Sequence, residues 1–132
     1  MKIVICGSLS FADKMLAISK ELKSMGHNPV LPVDIFEALT DSSLKNNVKH
    51  CIEKDIIRDH LLKIQHSDAI LVLNYEKKGV PGYIGGSTLI EIGFAHFWNK
   101  KIYFLNPIPD MSYTVELKAM QPIVLNDEFE RF

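Results

Sequence analysis

Glu91 has surroundings that suit an ordinary surface role poorly. It stands near the start of a segment, Thr88 to Trp98, in which Leu89, Ile90, Ile92, Phe94, Ala95, Phe97 and Trp98 make nearly every helical face apolar. A helix of that kind is expected to be buried. A carboxylate at its mouth is costly unless it is hydrogen-bonded or used in catalysis. Gly93 adds to the case, because a glycine inside a helix costs roughly 1 kcal/mol against alanine and makes most sense where something packs closely. The structural alternative is a capping box, in which Glu91 bonds back to the backbone N–H of Thr88.

Two other segments have the chemistry of an anion site. Gly7-Ser8-Leu9-Ser10 joins a strand pattern to a helical one, and Gly85-Gly86-Ser87-Thr88 repeats the arrangement before the helix of Glu91. Backbone N–H groups, hydroxyls and the positive helix end suit a phosphate, and paired glycines admit a ligand close to the backbone. Neither segment is a GxGxxG fingerprint or a Walker loop. The first is equally read as a tight turn with Ser10 as helix cap. His60 falls on the apolar side of its helix with Ile56, Ile57, Leu61 and Ile64, where a core histidine and a catalytic one are both open readings. Asp55, Asp59 and Lys63 are read as a solvated charge ladder. His50, Cys51, His60 and His66 share no helix face and show no metal-ligand spacing, so neither a metal nor another cofactor is expected. No GxSxG elbow is present, which argues against a Ser-His-Asp hydrolase.

The elements that must position these residues alternate. Lys2–Cys6 is an apolar strand ended by Gly7. Phe11, Met15, Ile18, Leu22 and Met25 recur at helical spacing before Gly26. Asn28–Val33 is a strand with Pro29 and Pro32, which places it at an edge or makes it short. Residues 34–47 read as a short helix and a mobile segment that suits a lid. Apolar positions from Val48 to His66 predict one long helix. Ala69–Asn74 is apolar enough for a central parallel strand. After the loop 75–86 and the Glu91 helix come a strand at Lys101–Leu105, a short helix at Tyr113–Met120 and a strand at Ile123–Leu125. The pattern implies a single α/β domain over residues 1–132, a doubly wound Rossmann- or flavodoxin-like sheet of about five parallel strands with helices on both faces. The expected order is 2-1-3-4-5, with 3-2-1-4-5 as the alternative. Ligands of such sheets bind at the carboxyl ends of the strands, which selects residues 7–10, Val33-Asp34, the stretch from Asn74 to Thr88, and Asn106-Pro107.

Composition narrows the partners. The chain has 132 residues, 47% hydrophobic and 23% charged, with a net charge of -1. No polybasic run points to nucleic acid polymers or an anionic membrane, and no apolar stretch is long enough to span one. Two cysteines, Cys6 and Cys51, make no CxxC pair or disulfide framework, and no signal peptide precedes the first strand. A reduced, cytoplasmic protein is expected. Phe94, Phe97 and Trp98 on one helix suit either a core or a contact with another subunit.

Three segments resemble the nucleoside 2-deoxyribosyltransferase superfamily, most nearly its 2′-deoxynucleoside 5′-phosphate N-hydrolase branch. They are Cys6-Gly7-Ser8, Ser67-Asp68-Ala69-Ile70-Leu71-Val72, and Gly86 to Ala95 with its E-x-G-x-A helix start. The resemblance implies that Glu91 is the nucleophile that attacks the anomeric carbon and releases the base, with water or an acceptor base resolving the ester. It implies that Gly7, Ser8, Ser10, Asn74, Gly86, Ser87 and Thr88 surround the substrate and its 5′-phosphate, and that Ser112 reaches a neighbouring subunit's phosphate in a homodimer or larger homo-oligomer. The family aspartate eight residues before Asp68 is replaced here by His60, and the loop 75–84 is longer than the family's. A histidine can serve as the acid, given its ordinary pKa of ~6.5. Three functions follow as expectations: a deoxynucleotide N-glycosidase or transferase, a non-catalytic nucleotide-binding module, and a glycohydrolase that prefers ribose.

Overall fold

The computed structural model describes residues 1–41, 43–44 and 47–132. Five parallel strands form one sheet: β1 (Lys2–Cys6), β2 (Asn28–Val30), β3 (Ala69–Val72), β4 (Lys101–Phe104) and β5 (Ile123–Val124). Their order is β2-β1-β3-β4-β5, as expected. Register runs from Lys2 opposite Asn28, through Ile3 opposite Ala69 and Ala69 opposite Lys101, to Tyr103 opposite Ile123. β2 is the edge strand, and the ladder stops before Pro32, short of the expected Val33.

Alternation along the buried strands divides the core in two. Ile3, Ile5, Ala69 and Leu71 face helices α1 (Ala12–Ser24) and α2 (Ile35–Thr40), through Met15, Ile18, Leu22 and Ile35. Val4, Cys6, Ile70 and Val72 face the other way. They pack with Ile64 of α4 (Ile56–Gln65), Ile92 and Ala95 of α5 (Gly86–Phe97) and Leu117 of α6 (Thr114–Ala119). The strand order reverses direction between β1 and β3, so the crevice of this sheet opens there.

The long helix expected over Val48–His66 is two helices. α3 (Val48–Glu53) ends at Lys54, and Asp55 sits at a left-handed φ of 49° before α4 begins. Aspartate tolerates that conformation because its short polar side chain bonds locally, here by accepting from Arg58 Nη1 at 2.8 Å. The redirection lets α4 turn His60 and Ile64 inward while α3 presents His50. Of the expected charge ladder, Lys63 pairs with Asp59 at 3.0 Å, whereas Asp55 leaves it to pair with Arg58. Of the segment expected to be mobile, Ser42, Lys45 and Asn46 lie outside the described residues.

Helix α5 is not buried all round. Ile92 and Ala95 are enclosed, whereas Ile90, Phe94 and Phe97 stand exposed, and nothing approaches the open side of Gly93. The close packing expected there is absent.

Candidate active site

A cleft of about 280 Å³ opens at the carboxyl ends of β1, β2 and β3, near the lower end of the range for small-molecule sites. Gly7 forms part of its floor. Its φ of +152° favours glycine, and a side chain there would come within 3.2 Å of the Leu73 carbonyl oxygen. The chain can therefore turn sharply out of β1 into Ser8, whose hydroxyl donates to Ser10 Oγ at 3.1 Å. Ser8, rather than Ser10, caps the short turn Leu9–Phe11, accepting from the Ser10 N–H at 3.2 Å. Lys77, from the loop after β3, reaches across and donates to Ser8 Oγ at 2.9 Å. Gly86, Ser87 and Thr88 open the first turn of α5 into the same cleft, and the space beside Gly86 is open.

Glu91 and His60 meet on the cleft wall. Glu91 Oε1 lies 3.9 Å from His60 Nε2, with both side chains largely enclosed. The capping box that was the alternative role for Glu91 does not form: α5 begins after Gly85, which caps without a side-chain bond, so Thr88 is inside the helix. One turn in, Glu91 faces the cleft instead. Cys6, the last residue of β1, completes the cluster. Its Sγ is 3.6 Å from His60 Nε2, and its thiol also bonds to the Glu91 carboxylate.

Burial sets the charges of all three. It raises the Glu91 pKa from 4.5 to about 8, against a smaller lowering by the Cys6 hydrogen bond. It lowers His60 to about 4, helped by the charge of Lys63 and opposed by Asp59 and Asp34. It pushes the Cys6 thiol well above its usual range, and the charge of Glu91 adds to that. The resting cluster thus holds a protonated carboxyl beside a neutral imidazole, the kind of matched pair found where protons are moved.

The cluster also bears on metals. Sequence spacing picked out His50, Cys51, His60 and His66 and gave no site, whereas folding brings together Cys6, His60 and Glu91, whose donor atoms lie within 4.8 Å of one another. Thiolate, imidazole and carboxylate suit a zinc-class ion. Binding one would require the thiol and the carboxyl to lose protons that burial makes them hold.

Glu91, His60, Gly7, Ser8, Gly86, Ser87 and Thr88 all line the cleft. Three other sequence candidates lie elsewhere. Ser10 lines a neighbouring depression with Asp13. Asn74 is buried and ties two strand exits together, donating to the carbonyls of Asn106 and Pro107 at 2.8 and 3.2 Å and accepting from the Asn106 N–H at 2.9 Å. Ser112 is exposed in the loop after β4. The cleft also holds residues that spacing did not mark: Asp34, Lys77, Lys78 and Tyr83. Asp34 follows β2 directly, and the strand-end rule had selected its segment without assigning it a role.

These features can be set beside known proteins. The chain folds like a nucleotide N-glycosidase. It superposes on the Clostridium botulinum CMP N-glycosidase BcmB with a TM-score of 0.53, over 94% of this chain and 85% of that chain. Sequence identity is 16%, so the likeness is one of fold. No family model matches the chain, and no curated protein does. Among the described residues, no helix is long and apolar enough to cross a membrane.

Proposed function

We propose that the protein cleaves the N-glycosidic bond of a nucleoside or deoxynucleoside 5′-monophosphate, with Glu91 as nucleophile and His60 as proton carrier. The observation that carries this reading is the enclosed Glu91–His60 pair, 3.9 Å apart on the wall of a cleft rimmed by anion-binding groups. Ser8, Ser87, Lys77 and the N-terminus of α5 suit the phosphate. The described activity of the fold neighbour on CMP agrees with that substrate class.

The pair starts with one proton, on Glu91. As the bond to the base stretches, positive charge grows on the sugar and favours a carboxylate beneath it. The carboxyl proton passes to His60 Nε2. The freed Glu91 oxygen forms an ester bond to the anomeric carbon, the carbon–nitrogen bond breaks with its electrons going to the base, and Nε2 returns the proton to the base nitrogen. Water then attacks the anomeric carbon. The ester bond between that carbon and Glu91 breaks with its electrons going to the Glu91 oxygen, the water's hydroxyl stays on the sugar, and its proton restores the Glu91 carboxyl. A second base in place of water would make the same chemistry a transfer. His60 thereby performs the proton work that the resemblance gives to an aspartate.

Incubating the protein with a panel of nucleotides and separating the products by chromatography tests the proposal. Free base should appear, and Glu91→Gln should lower its rate by several orders of magnitude while nucleotide still binds, because an amide is a very poor nucleophile. Base release at a similar rate from Glu91→Gln refutes the mechanism. Saturable binding without turnover by the wild type would instead identify a binding module.

A further inference from the structure

Asp34 is 1% exposed on the cleft lining, and its two oxygens are treated unequally. Oδ2 accepts from His50 Nε2 at 3.0 Å, across from α3. Oδ1 is enclosed and has no hydrogen-bond partner among the described residues. That hydrogen bond braces α3 against the exit of β2 and accounts for Oδ2 alone. A carboxylate oxygen left enclosed without a donor is destabilising, and such groups are retained where something supplies the donor.

The sheet order says which part of a substrate arrives there. β2 and β3 flank β1, so the loops that leave them stand on opposite sides of the floor at Gly7. Lys77 and Ser87 follow β3, and Asp34 follows β2. A nucleotide with its phosphate at Lys77 and Ser87 and its anomeric carbon at Glu91 directs its base toward Asp34. Pro32 and Val33 precede Asp34 directly, and with Ile56 and Ile57 they give the cleft apolar walls for a flat ring.

We propose that Asp34, braced by His50, selects a nucleobase bearing an exocyclic amine. An ionised carboxylate only accepts hydrogen bonds, so it takes an amino N–H and opposes a carbonyl oxygen at the same position. This rests on the N-glycosidase reading for the orientation of the nucleotide, and it adds the class of base.

The test uses two pairs of 5′-monophosphates that differ at one exchange of amine for carbonyl: cytidine against uridine, and adenosine against inosine. Binding is measured by calorimetry and base release by chromatography, on the full chain. In at least one pair the amine-bearing member should be preferred by about 100-fold, as expected where a buried polar group is otherwise unpaired. Asp34→Asn, whose amide both donates and accepts, should bring that preference within about tenfold. His50→Gln still has an N–H to offer Oδ2 and should keep it. Equal wild-type affinity within both pairs overturns the proposal without any variant having to fold. So does a uniform loss across all four nucleotides in Asp34→Asn, which would mean a contact to the sugar. Base release without discrimination sinks the selection and leaves the N-glycosidase reading standing. Discrimination in binding with no base released does the reverse. Failure of all four to bind refutes both.

Discussion

Replacing Glu91 by glutamine should make the protein more stable, by an amount that grows with pH. The carboxyl has an ordinary pKa of 4.5 and one of about 8 in the folded cleft. Between those values the unfolded chain has lost this proton and the folded chain keeps it. Stability therefore falls as pH rises through that window and levels off above it. At ~1.4 kcal/mol per pH unit, the full span amounts to about 5 kcal/mol. Glutamine has nearly the same shape and no proton to lose. Urea titrations of both proteins from pH 5 to pH 9 should show curves close together at the acid end. The variant should lead by several kcal/mol at the alkaline end. His60 has the opposite slope, since its lowered pKa removes stability as pH falls from 6.5 toward about 4. That contribution is common to both proteins and cancels in their difference. A gap that stays constant with pH, or a variant weaker throughout, would refute the claim that Glu91 is held protonated by burial.

The kinetics should reflect the same proton. The kcat/KM profile should be a bell between apparent values near 4 and 8, belonging to the Glu91–His60 pair, and a rate still climbing above pH 8 would rule out the internal transfer. Ser8→Ala and Ser87→Ala should each weaken nucleotide binding by roughly 1–2 kcal/mol and leave the nucleoside nearly unaffected, which parallel calorimetry of the two ligands checks. A chelator should leave base release unchanged, whereas added zinc should inhibit it in competition with substrate, and Cys6→Ser should relieve that inhibition. Ile90, Phe94 and Phe97 leave an exposed apolar side on α5, so sedimentation should show a dimer or larger species, and a fully active monomer would refute that.

The sheet was legible because its strands are uniformly apolar runs punctuated by Gly7 and by the prolines near β2, and because parallel crossovers leave few orders to choose from. The break at Asp55 was hidden, since the apolar positions of α3 and α4 stay in phase across it and no glycine or proline marks it. Glu91 stood out in a helix that looked wholly apolar. Its burial comes from the cleft, whereas the same helix shows Phe97 to solvent. Cys6 read as a strand residue at the head of the Cys6-Gly7-Ser8 turn, with no partner in the site. Its meeting with His60 and Glu91 joins three distant parts of the chain, and no local spacing records that. Asp34 was reached by the rule for strand exits, but its bond to His50 depends on where α3 docks.

The loop from Tyr75 to Ile84 is fastened at both ends. Asn74 clasps Asn106 and Pro107 at its start, and the Tyr113 hydroxyl donates to the Ile84 carbonyl at its close. Near the far end, Gly82 lies so near the Pro107 carbonyl that a side chain would come within 2.6 Å of its oxygen. Those anchors belong to the segments after β4, which hold neither Glu91 nor His60. The loop is thus an exchangeable cassette. Insertions between Lys78 and Pro81 can lengthen or recharge one rim of the cleft while Lys77, Gly82 and the scaffold beneath keep their places, and a lineage or an engineer can rewrite what enters without rebuilding what reacts.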